Sequence, residues 1–371
     1  MFISIILFIL ILGVLVFLHE FGHFYSARKL GINVEEFGFG FPPRIYGIKK
    51  GQTIYSINWI PFGGFVRLKG EQEHIKEPDS FSSQSAWKRL TVIISGVFMN
   101  VILAMLILSL VFALGVPSMV DDQSTIYPGG KVSKQQLQIF SVEEDSPAEQ
   151  AGLKSGDVIL SIRNNEIESL EQAQILLNVN EEIDISYSSS GQENFLVITP
   201  IIIDEEGVYK IGVSLIESGF VSYPWYQAIW LGPWYAIQLL GLIFFSIWDF
   251  FKGLLTQGTI SPDVAGPVGI AVITGQVADM GFIYLLQFSA ILSLSLAVMN
   301  ILPIPALDGG RAMFIIIEKI RKKPISQNIE GIIHTVGFYA LILLLIFISY
   351  KDFIRFNVGE KISEFFQRIG T

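Results

Sequence analysis

The sequence predicts an α-helical polytopic membrane protein with about four transmembrane helices, a membrane-associated β-hairpin and one inserted water-exposed domain. Hydrophobic residues make up 51% of the 371 residues, which is too apolar for a soluble protein. Charged residues still make up 16%, enough for one domain in water. Long uncharged runs recur along the chain, and a polar segment with strand-like alternation separates the second run from the third.

The first apolar run leads directly into ionisable side chains. Residues 2–18 carry no charge, and as a helix they rise about 26 Å, nearly the thickness of a bilayer core. His19 and His23 follow one helical turn apart, so both imidazoles can reach one metal ion. Glu20 is placed to act as a general base. The alternative is an ordinary interfacial helix end, but ionisable groups at this depth are costly and indicate function.

The same run lacks a basic start and a small-residue cleavage site. We therefore expect a retained span with a cytoplasmic C-terminal end, and not a removable signal peptide.

A third metal ligand is expected from Asp308. The chain has no cysteine and only four histidines, so His, Asp and Glu are the available ligands. Pro303 and Pro305 break the predicted third span just before Asp308, and irregular backbone at this depth is tolerated only inside protein. Asp308 would complete a His-His-Asp zinc site with one open position, although a simple turn leaving the membrane is the alternative.

Residues 53–60 and 64–68 are predicted strands joined by a turn at 61–64, after an irregular glycine- and proline-rich lead at 38–43. Their many aromatic residues suggest a hairpin that dips into the membrane interface. An ordinary cytoplasmic hairpin is an equally good interpretation. In either case an open strand edge can hold an extended peptide.

The inserted polar segment resembles a PDZ domain, since residues 145–159 match the short helix and Gly-Asp turn of the PDZ core. Ile211, Gly212 and Val213 resemble the loop with which such domains hold a peptide carboxylate. Its position at the C-terminal end implies the circular permutation of bacterial PDZ modules.

Charge and metal geometry together predict the topology. Basic residues concentrate between the first two spans and after residue 302, so the hairpin is expected in the cytoplasm and the PDZ domain outside. His19 and Asp308 must lie at one depth, so the third span also runs inward. Residues 225–255 should then lie along the outer surface or dip in and return, with both termini extracytoplasmic.

The predicted segments follow from this topology. They are the first span with the two histidines (1–30), cytoplasmic β elements and linker (31–88), the second span (89–117), the PDZ domain (118–218), a membrane-lying segment on the outer side (219–280), the third span with the Asp308 motif and a cytoplasmic loop (281–325), and the fourth span and tail (326–371).

The histidine motif, the motif at residues 300–309 and the intervening PDZ module together resemble the site-2 protease family of intramembrane zinc metalloproteases, in its bacterial regulator-of-sigma-E protease (RseP) type. The resemblance implies that His19, His23 and Asp308 bind Zn²⁺ and that Glu20 is the catalytic base. It also implies that Asn300 contacts the substrate backbone.

The resemblance extends to Gly38, Phe39 and Gly40, which match membrane-associated β elements that engage substrate in this family. Val97 is a departure, because the family commonly has proline there, and no specific role is assigned to residues 95–100.

The leading function is therefore an intramembrane zinc endopeptidase of the cell (inner) membrane. Its expected partners are the lipid bilayer and a single-span, pre-cleaved membrane protein, such as an anti-sigma factor or a remnant signal peptide. The alternative is a non-catalytic membrane-anchored PDZ adaptor, against which the intact ligand set and base argue. A zinc transporter is weaker, because ligands along a path are missing. An acidic chain without a basic stripe predicts no nucleic-acid partner.

Overall fold

The computed structural model describes residues 2–71, 73, 75–119, 127–143, 145–167, 169–189, 191–202, 209–257, 265–323 and 325–356. The chain forms two compact units. The helical unit comprises Met1–Leu108, Pro233–Ala278 and Leu285–Thr371, and the β unit comprises Ser109–Gly232 and Asp279–Tyr284.

The described elements alternate between long apolar helices and short strands. In chain order they are α1 (Phe2–Lys29), β1 (Val34–Lys50), β2 (Thr53–Leu68), a 3₁₀ turn (Phe81–Ser83), α2 (Ala86–Leu114), β3 (Val116–Met119), β4 (Lys131–Val142), α3 (Pro147–Gln150), β5 (Val158–Ile162), β6 (Asn165–Glu166), α4 (Leu170–Leu177), β7 (Ile183–Ser189), β8 (Gln192–Ile198), β9 (Ile201–Ile202), β10 (Tyr209–Lys210), β11 (Val213–Ser222), α5 (Trp225–Gln257), α6 (Pro267–Met280), α7 (Phe282–Ile301), α8 (Asp308–Arg321) and α9 (Gln327–Arg355).

Five of the described helices are long and apolar enough to cross a membrane, namely α1, α2, α5, α7 and α9. The count of four spans therefore remains a prediction that depends on α5. This helix is uninterrupted over 33 residues, so the expectation that residues 225–255 dip in and return within themselves is wrong. Ala236 of α5 lies in one buried cluster with Ala104 of α2 and Ala290 of α7.

The two strands β1 and β2 form an antiparallel hairpin that turns at Gly51 and Gln52. The register also confirms the predicted turn at residues 61–64. Residues 36–39 pair in parallel with 54–57 and antiparallel with 64–67, so β2 reverses its direction between these two segments. Gly63 has a φ of 79° in this turn, and a Cβ there would collide with Val16 of α1. The predicted irregular lead at residues 38–43 belongs to β1.

A glycine ends α1 shortly after the second histidine. Ile32 N–H donates to Ala27 O at 2.9 Å and Gly31 N–H donates to Arg28 O at 3.2 Å, with Gly31 at a φ of 78°. This is the Schellman pattern, in which a left-handed residue satisfies the last helical carbonyls. The chain then turns into β1, whose Val34 is buried with Phe24 of α1 in a common core.

Helix α6 joins the ends of two other helices. Gly275 lies against Ser4 at the start of α1, where an added Cβ would clash. At its N-terminus, the N–H groups of Gly266 and Gly269 both donate to Asp352 Oδ2 near the end of α9, each at 2.8 Å. A carboxylate in this position satisfies orphan N–H groups and interacts favourably with the helix dipole. The sequence analysis gave residues 219–280 as one membrane-lying segment and did not predict α6 as a separate helix.

The β unit contains one sheet in the order β3-β11-β4-β5-β7-β8, with β6 paired to β5. Its core is aliphatic and includes Ile139, Ile162 and Ile183, each almost fully buried. Strand β11 pairs with β4 from Val213 to Ser222, whereas β3 covers only Ser218–Val221 on the other side. Among the described strands, none covers that second edge between residues 213 and 217.

Candidate metal centre

Three side chains predicted as ligands converge in the helical unit. His19 Nε2 lies 2.9 Å from Asp308 Oδ2 and 3.1 Å from His23 Nε2, and His23 Nε2 lies 3.2 Å from Asp308 Oδ2. The ligand atoms of these residues all lie within 4.8 Å of one another. His19 and His23 are 6% and 7% exposed, so this group is shielded from solvent. Two imidazole nitrogens and one carboxylate oxygen are a donor set that zinc accepts.

The two histidine rings are oriented by α2. His23 Nδ1 lies 2.8 Å from the carbonyl oxygen of Val92, which can only accept, so Nδ1 carries the proton and Nε2 faces the cluster. His19 Nδ1 lies 3.4 Å from the side-chain amide of Asn100, which is fully buried.

Between these two contacts, α2 passes the rings at Gly96. A Cβ at Gly96 would lie 2.6 Å from His23 Cε1 and 2.9 Å from His19 Cε1. Ordinary carbon contacts need about 3.5–4.0 Å, so only glycine leaves room for both rings.

Asp308 is the first residue of α8, and its carboxylate therefore lies at a helix N-terminus that favours negative charge. The loop before it is strained at Ala306, which has a φ of 78°. The Ala306 N–H donates to His334 Nδ1 at 2.8 Å. His334, expected to be an interfacial residue, thus ties the start of α9 to the loop that presents Asp308.

Helix α8 itself was not predicted, since the sequence suggested only a cytoplasmic loop. Two ion pairs fix it: Arg89 Nη2 donates to Glu318 Oε2 at 2.8 Å, and Arg311 pairs with Glu71. These side chains line a cavity of about 270 Å³ that also reaches Ala306. The linker after β2 and the start of α2 therefore both hold the helix that carries Asp308.

Glu20 is half-buried and lies close enough to His19, His23 and Asp308 to interact electrostatically with all three. It makes no hydrogen bond to them. A carboxylate beside a ligand cluster, but outside it, is available for proton transfer.

The expected substrate contacts are distributed differently. Asn300 is half-buried in the last turn of α7 and makes no hydrogen bond to the three clustered side chains. Gly38, Phe39 and Gly40 lie in β1, and the Phe39 ring contacts the Phe17 ring of α1 with 5.9 Å between centroids. The hairpin therefore contacts α1 about half a turn before the first histidine.

The predicted carboxylate loop lies in the β unit. Gly212 has a φ of 79°, and the Ile211 side chain is only 1% exposed. Ile211 O accepts from Ala148 N–H at 2.9 Å, and Val213 begins β11. The Ile211 side chain thus belongs to the domain core, and a ligand would meet this loop through its backbone.

The sequence assigned no specific role to Gly96 and Asn100, and it gave no signal for Val92. The available signal was an asparagine in an apolar helix four residues after a glycine. It indicated close helix packing or a buried hydrogen bond, but it did not identify the histidines as the partners.

The chain matches the family model described as peptidase family M50 over residues 7–344. A relative in Clostridium acetobutylicum, named as a zinc metalloprotease, is 32% identical over 95% of this chain and 97% of its own length. The Bacillus subtilis protein named Regulator of sigma-W protease RasP is 28% identical over 95% of this chain and 98% of its own length.

Among solved structures, the PDZ domain of an SdrC-like protein from Listeria monocytogenes matches with 27% identity. The match covers 23% of this chain and 92% of that domain with a TM-score of 0.22, which carries no argument about the fold by itself.

Proposed function

This chain belongs to peptidase family M50, and we propose that His19, His23 and Asp308 hold its zinc ion while Glu20 serves as the general base. Family membership confirms the resemblance found in the sequence, together with the zinc cofactor and the metalloprotease activity of a multi-pass membrane protein. The convergence of three ligand atoms from residues up to 289 positions apart supports the proposed site.

Zinc supplies a Lewis acid that polarises a carbonyl and lowers the pKa of water. The protein supplies the rest of the reaction. The Val92 carbonyl holds His23 with Nε2 toward the cluster, and the N-terminus of α8 stabilises the Asp308 carboxylate. The Glu20 carboxylate takes a proton from the attacking water and delivers it to the amide nitrogen of the leaving peptide.

We propose that the substrate is a transmembrane helix of another membrane protein. We propose a single-span substrate already shortened by another protease. Helical peptide bonds are shielded, so the scissile region must unwind. We assign Gly38, Phe39 and Gly40 to the β elements that engage the extended form. Because Gly38 and Phe39 already pair on both sides, with residues 56–57 and 64–65, backbone pairing with substrate would use an outer segment of the hairpin. Asn300, at the end of α7, is assigned to the substrate backbone beside the cut. The name of the Bacillus relative indicates a sigma-factor regulator as one substrate class.

The β unit is proposed to be a PDZ module that binds exposed C-termini or filters substrates. Two features support this assignment. The edge of β11 is uncovered by described strands at residues 213–217, and α4 lies beside β11, where Leu170 N–H donates to Glu217 Oε1 at 2.7 Å. A strand edge next to a helix suits an extended peptide, whose terminal carboxylate would meet the backbone of Gly212.

We further propose that both ends of α5 lie on the extracytoplasmic side, as the four-span topology requires. Ser4 lies about 22 Å of helix before His19 in α1. Asp352 lies about 27 Å of helix after His334, the α9 residue that contacts the loop before Asp308. Both residues are thus at the helix ends remote from the metal centre. Helix α6 contacts both residues and so lies near these ends. Eight residues separate Gln257, the end of α5, from Gly266. Even a fully extended segment of this length reaches only about 28 Å, less than the roughly 30 Å of a bilayer core.

The test of the catalytic assignment separates the base from the ligands. Glu20→Gln should retain zinc but lose at least about 10²-fold in cleavage of a model transmembrane substrate, because only the base is removed. Asp308→Ala should instead lose zinc from the purified protein, measured by metal analysis. Near wild-type cleavage by Glu20→Gln, or full zinc occupancy in Asp308→Ala, would contradict the corresponding role.

The test of the PDZ assignment is removal of the domain. A chain lacking residues 118–218 should still cut a pre-shortened substrate while its preference among longer substrates changes. If a folded deletion protein cuts no pre-shortened substrate at all, the domain has a structural or catalytic role instead. The adaptor alternative is not favoured, because the relatives are named as proteases.

A further inference from the structure

We infer that Asn100 is a positioning residue, which holds His19 in the tautomer that leaves Nε2 free to bind metal. The inference rests on the proposed ligand set. Asn100 does not touch substrate or metal; it acts on His19 Nδ1 from α2.

The argument starts from the proton on the His19 ring. Nε2 is the atom that meets Asp308 Oδ2 at 2.9 Å and His23 Nε2 at 3.1 Å, so Nε2 is the ligand atom. A ligating nitrogen carries no proton, and a neutral imidazole must then carry it on Nδ1. A buried Nδ1–H needs an acceptor.

The amide of Asn100 is the hydrogen-bond partner of this nitrogen. Its Nδ2 lies 3.4 Å from His19 Nδ1, while its Oδ1 is buried without any partner. Rotating the side-chain amide of Asn100 by 180° exchanges Oδ1 and Nδ2 and moves no other atom. Oδ1 then accepts from the Nδ1–H of His19, which gives an acceptor to the donor that metal binding requires.

The backbone of Asn100 is held from another helix, and its side chain is enclosed. Ser293 of α7 is fully buried and its Oγ donates to the Asn100 carbonyl oxygen at 2.8 Å. The side chain of Asn100 is itself 0% exposed. Its arrangement parallels that of Val92, which accepts from His23 Nδ1, so α2 provides one acceptor for each histidine.

Two substitutions separate this role from packing. Asn100→Leu keeps the size but removes the acceptor, and Asn100→Asp keeps an acceptor but adds a buried charge. The measurement is the zinc dissociation constant of the purified full-length protein, by competition with a chelator of known affinity. We expect Asn100→Leu to bind zinc about 10-fold or more weakly. Asn100→Asp should bind it at least as tightly as the wild type.

If Asn100 only filled space, the order of zinc affinities would be reversed. Asn100→Leu would then bind zinc like the wild type, and Asn100→Asp would bind it more weakly because of its buried charge. That order would overturn the inference. If Asn100→Leu does not fold, Asn100→Ala takes its place in the comparison. A 10-fold loss of zinc affinity in Asn100→Asp is by itself enough to contradict the role. Ser289→Ala is the matched control, because its buried hydroxyl bonds only within α7, to Leu285 O at 2.7 Å, and zinc binding should be unchanged.

The same assay distinguishes a failure of the proposed site from a failure of this inference. If His19→Ala binds zinc like the wild type, the ligand set is wrong and the role of Asn100 falls with it. If His19→Ala loses zinc while Asn100→Leu keeps wild-type affinity, the ligand set stands and only the inference about Asn100 fails.

Discussion

At the level of single residues, the positions of the His19 and His23 rings depend on a glycine, because any larger residue at position 96 would collide with both rings. Gly96 faces both histidine rings, and on the neighbouring helix Gly22 faces the backbone of Ser95 and Gly96. The two glycines bring the backbones of α1 and α2 into contact, which is how small residues act between membrane helices. The ligand geometry is therefore set by helix separation.

We expect Gly96→Ala to displace both rings and weaken zinc binding by about 10-fold or more, since overpacking costs about 1–3 kcal/mol and the displaced groups are the ligands. The readout is zinc affinity together with the thermal midpoint. Gly331→Ala is the control: nothing lies within 4 Å of its Cβ position in α9, so it should bind zinc normally. Wild-type affinity in Gly96→Ala would mean that the helices separate without cost to the site.

At the level of elements, ion pairs connect α8, which carries Asp308, to the linker after β2 and to α2. The Arg89 and Glu318 side chains are 17% and 14% exposed, so their pairing is less screened than that of a surface ion pair. Lys319 of α8 also lies 3.4 Å from the ring centroid of Trp87 in α2. Helix α8 therefore contacts α2 through both an ion pair and a cation–π interaction, and these contacts fix the position of the helix that carries Asp308.

A double-mutant cycle measures how much the Arg89–Glu318 ion pair contributes to stability. Arg89→Ala and Glu318→Ala should each destabilise the protein, and the double variant should show a coupling energy of about 0.5–3 kcal/mol in thermal or denaturant unfolding. Arg163 and Glu181 provide the control cycle, because their side chains are 32% and 76% exposed and the pair should contribute at most about 1 kcal/mol. Equal coupling in the two cycles would show that burial gives the Arg89 pair no advantage.

At the level of the whole molecule, the topology depends on one helix. α5 satisfies the length and composition of a span, yet the shared depth of His19 and Asp308 requires an even number of crossings between α2 and α7. These statements agree only if both ends of α5 lie on the same side.

Single cysteines in this cysteine-free chain distinguish the topologies. Ser155→Cys marks the β unit, Thr256→Cys marks the end of α5, and Ser83→Cys marks the linker between α1 and α2. All three positions have exposed or accessible polar side chains. In intact cells an impermeant thiol reagent should label the first two and not the third. Labelling of Ser155→Cys without Thr256→Cys would mean that α5 crosses the membrane.

The sequence by itself determined the local chemistry. His19, Glu20 and His23 are close along one helix, and Asp308 follows proline-broken backbone, so spacing and membrane cost were sufficient to predict the ligand cluster. The apolar runs likewise predicted α1, α2, α7 and α9, because a bilayer fixes the length of a crossing helix.

Only the tertiary structure decided what surrounds those residues. Asn100 meets His19 across 81 positions of sequence, and Arg89 meets Glu318 across 229, distances over which local pattern carries no information. The predicted turn at residues 61–64 shows the same division. Its residue types indicate a turn, but the contact with Val16 of α1 that leaves no room for a Cβ at Gly63 is seen only in the folded chain. A sequence pattern indicates which local conformations a segment can adopt, whereas tertiary packing determines which of them it does adopt.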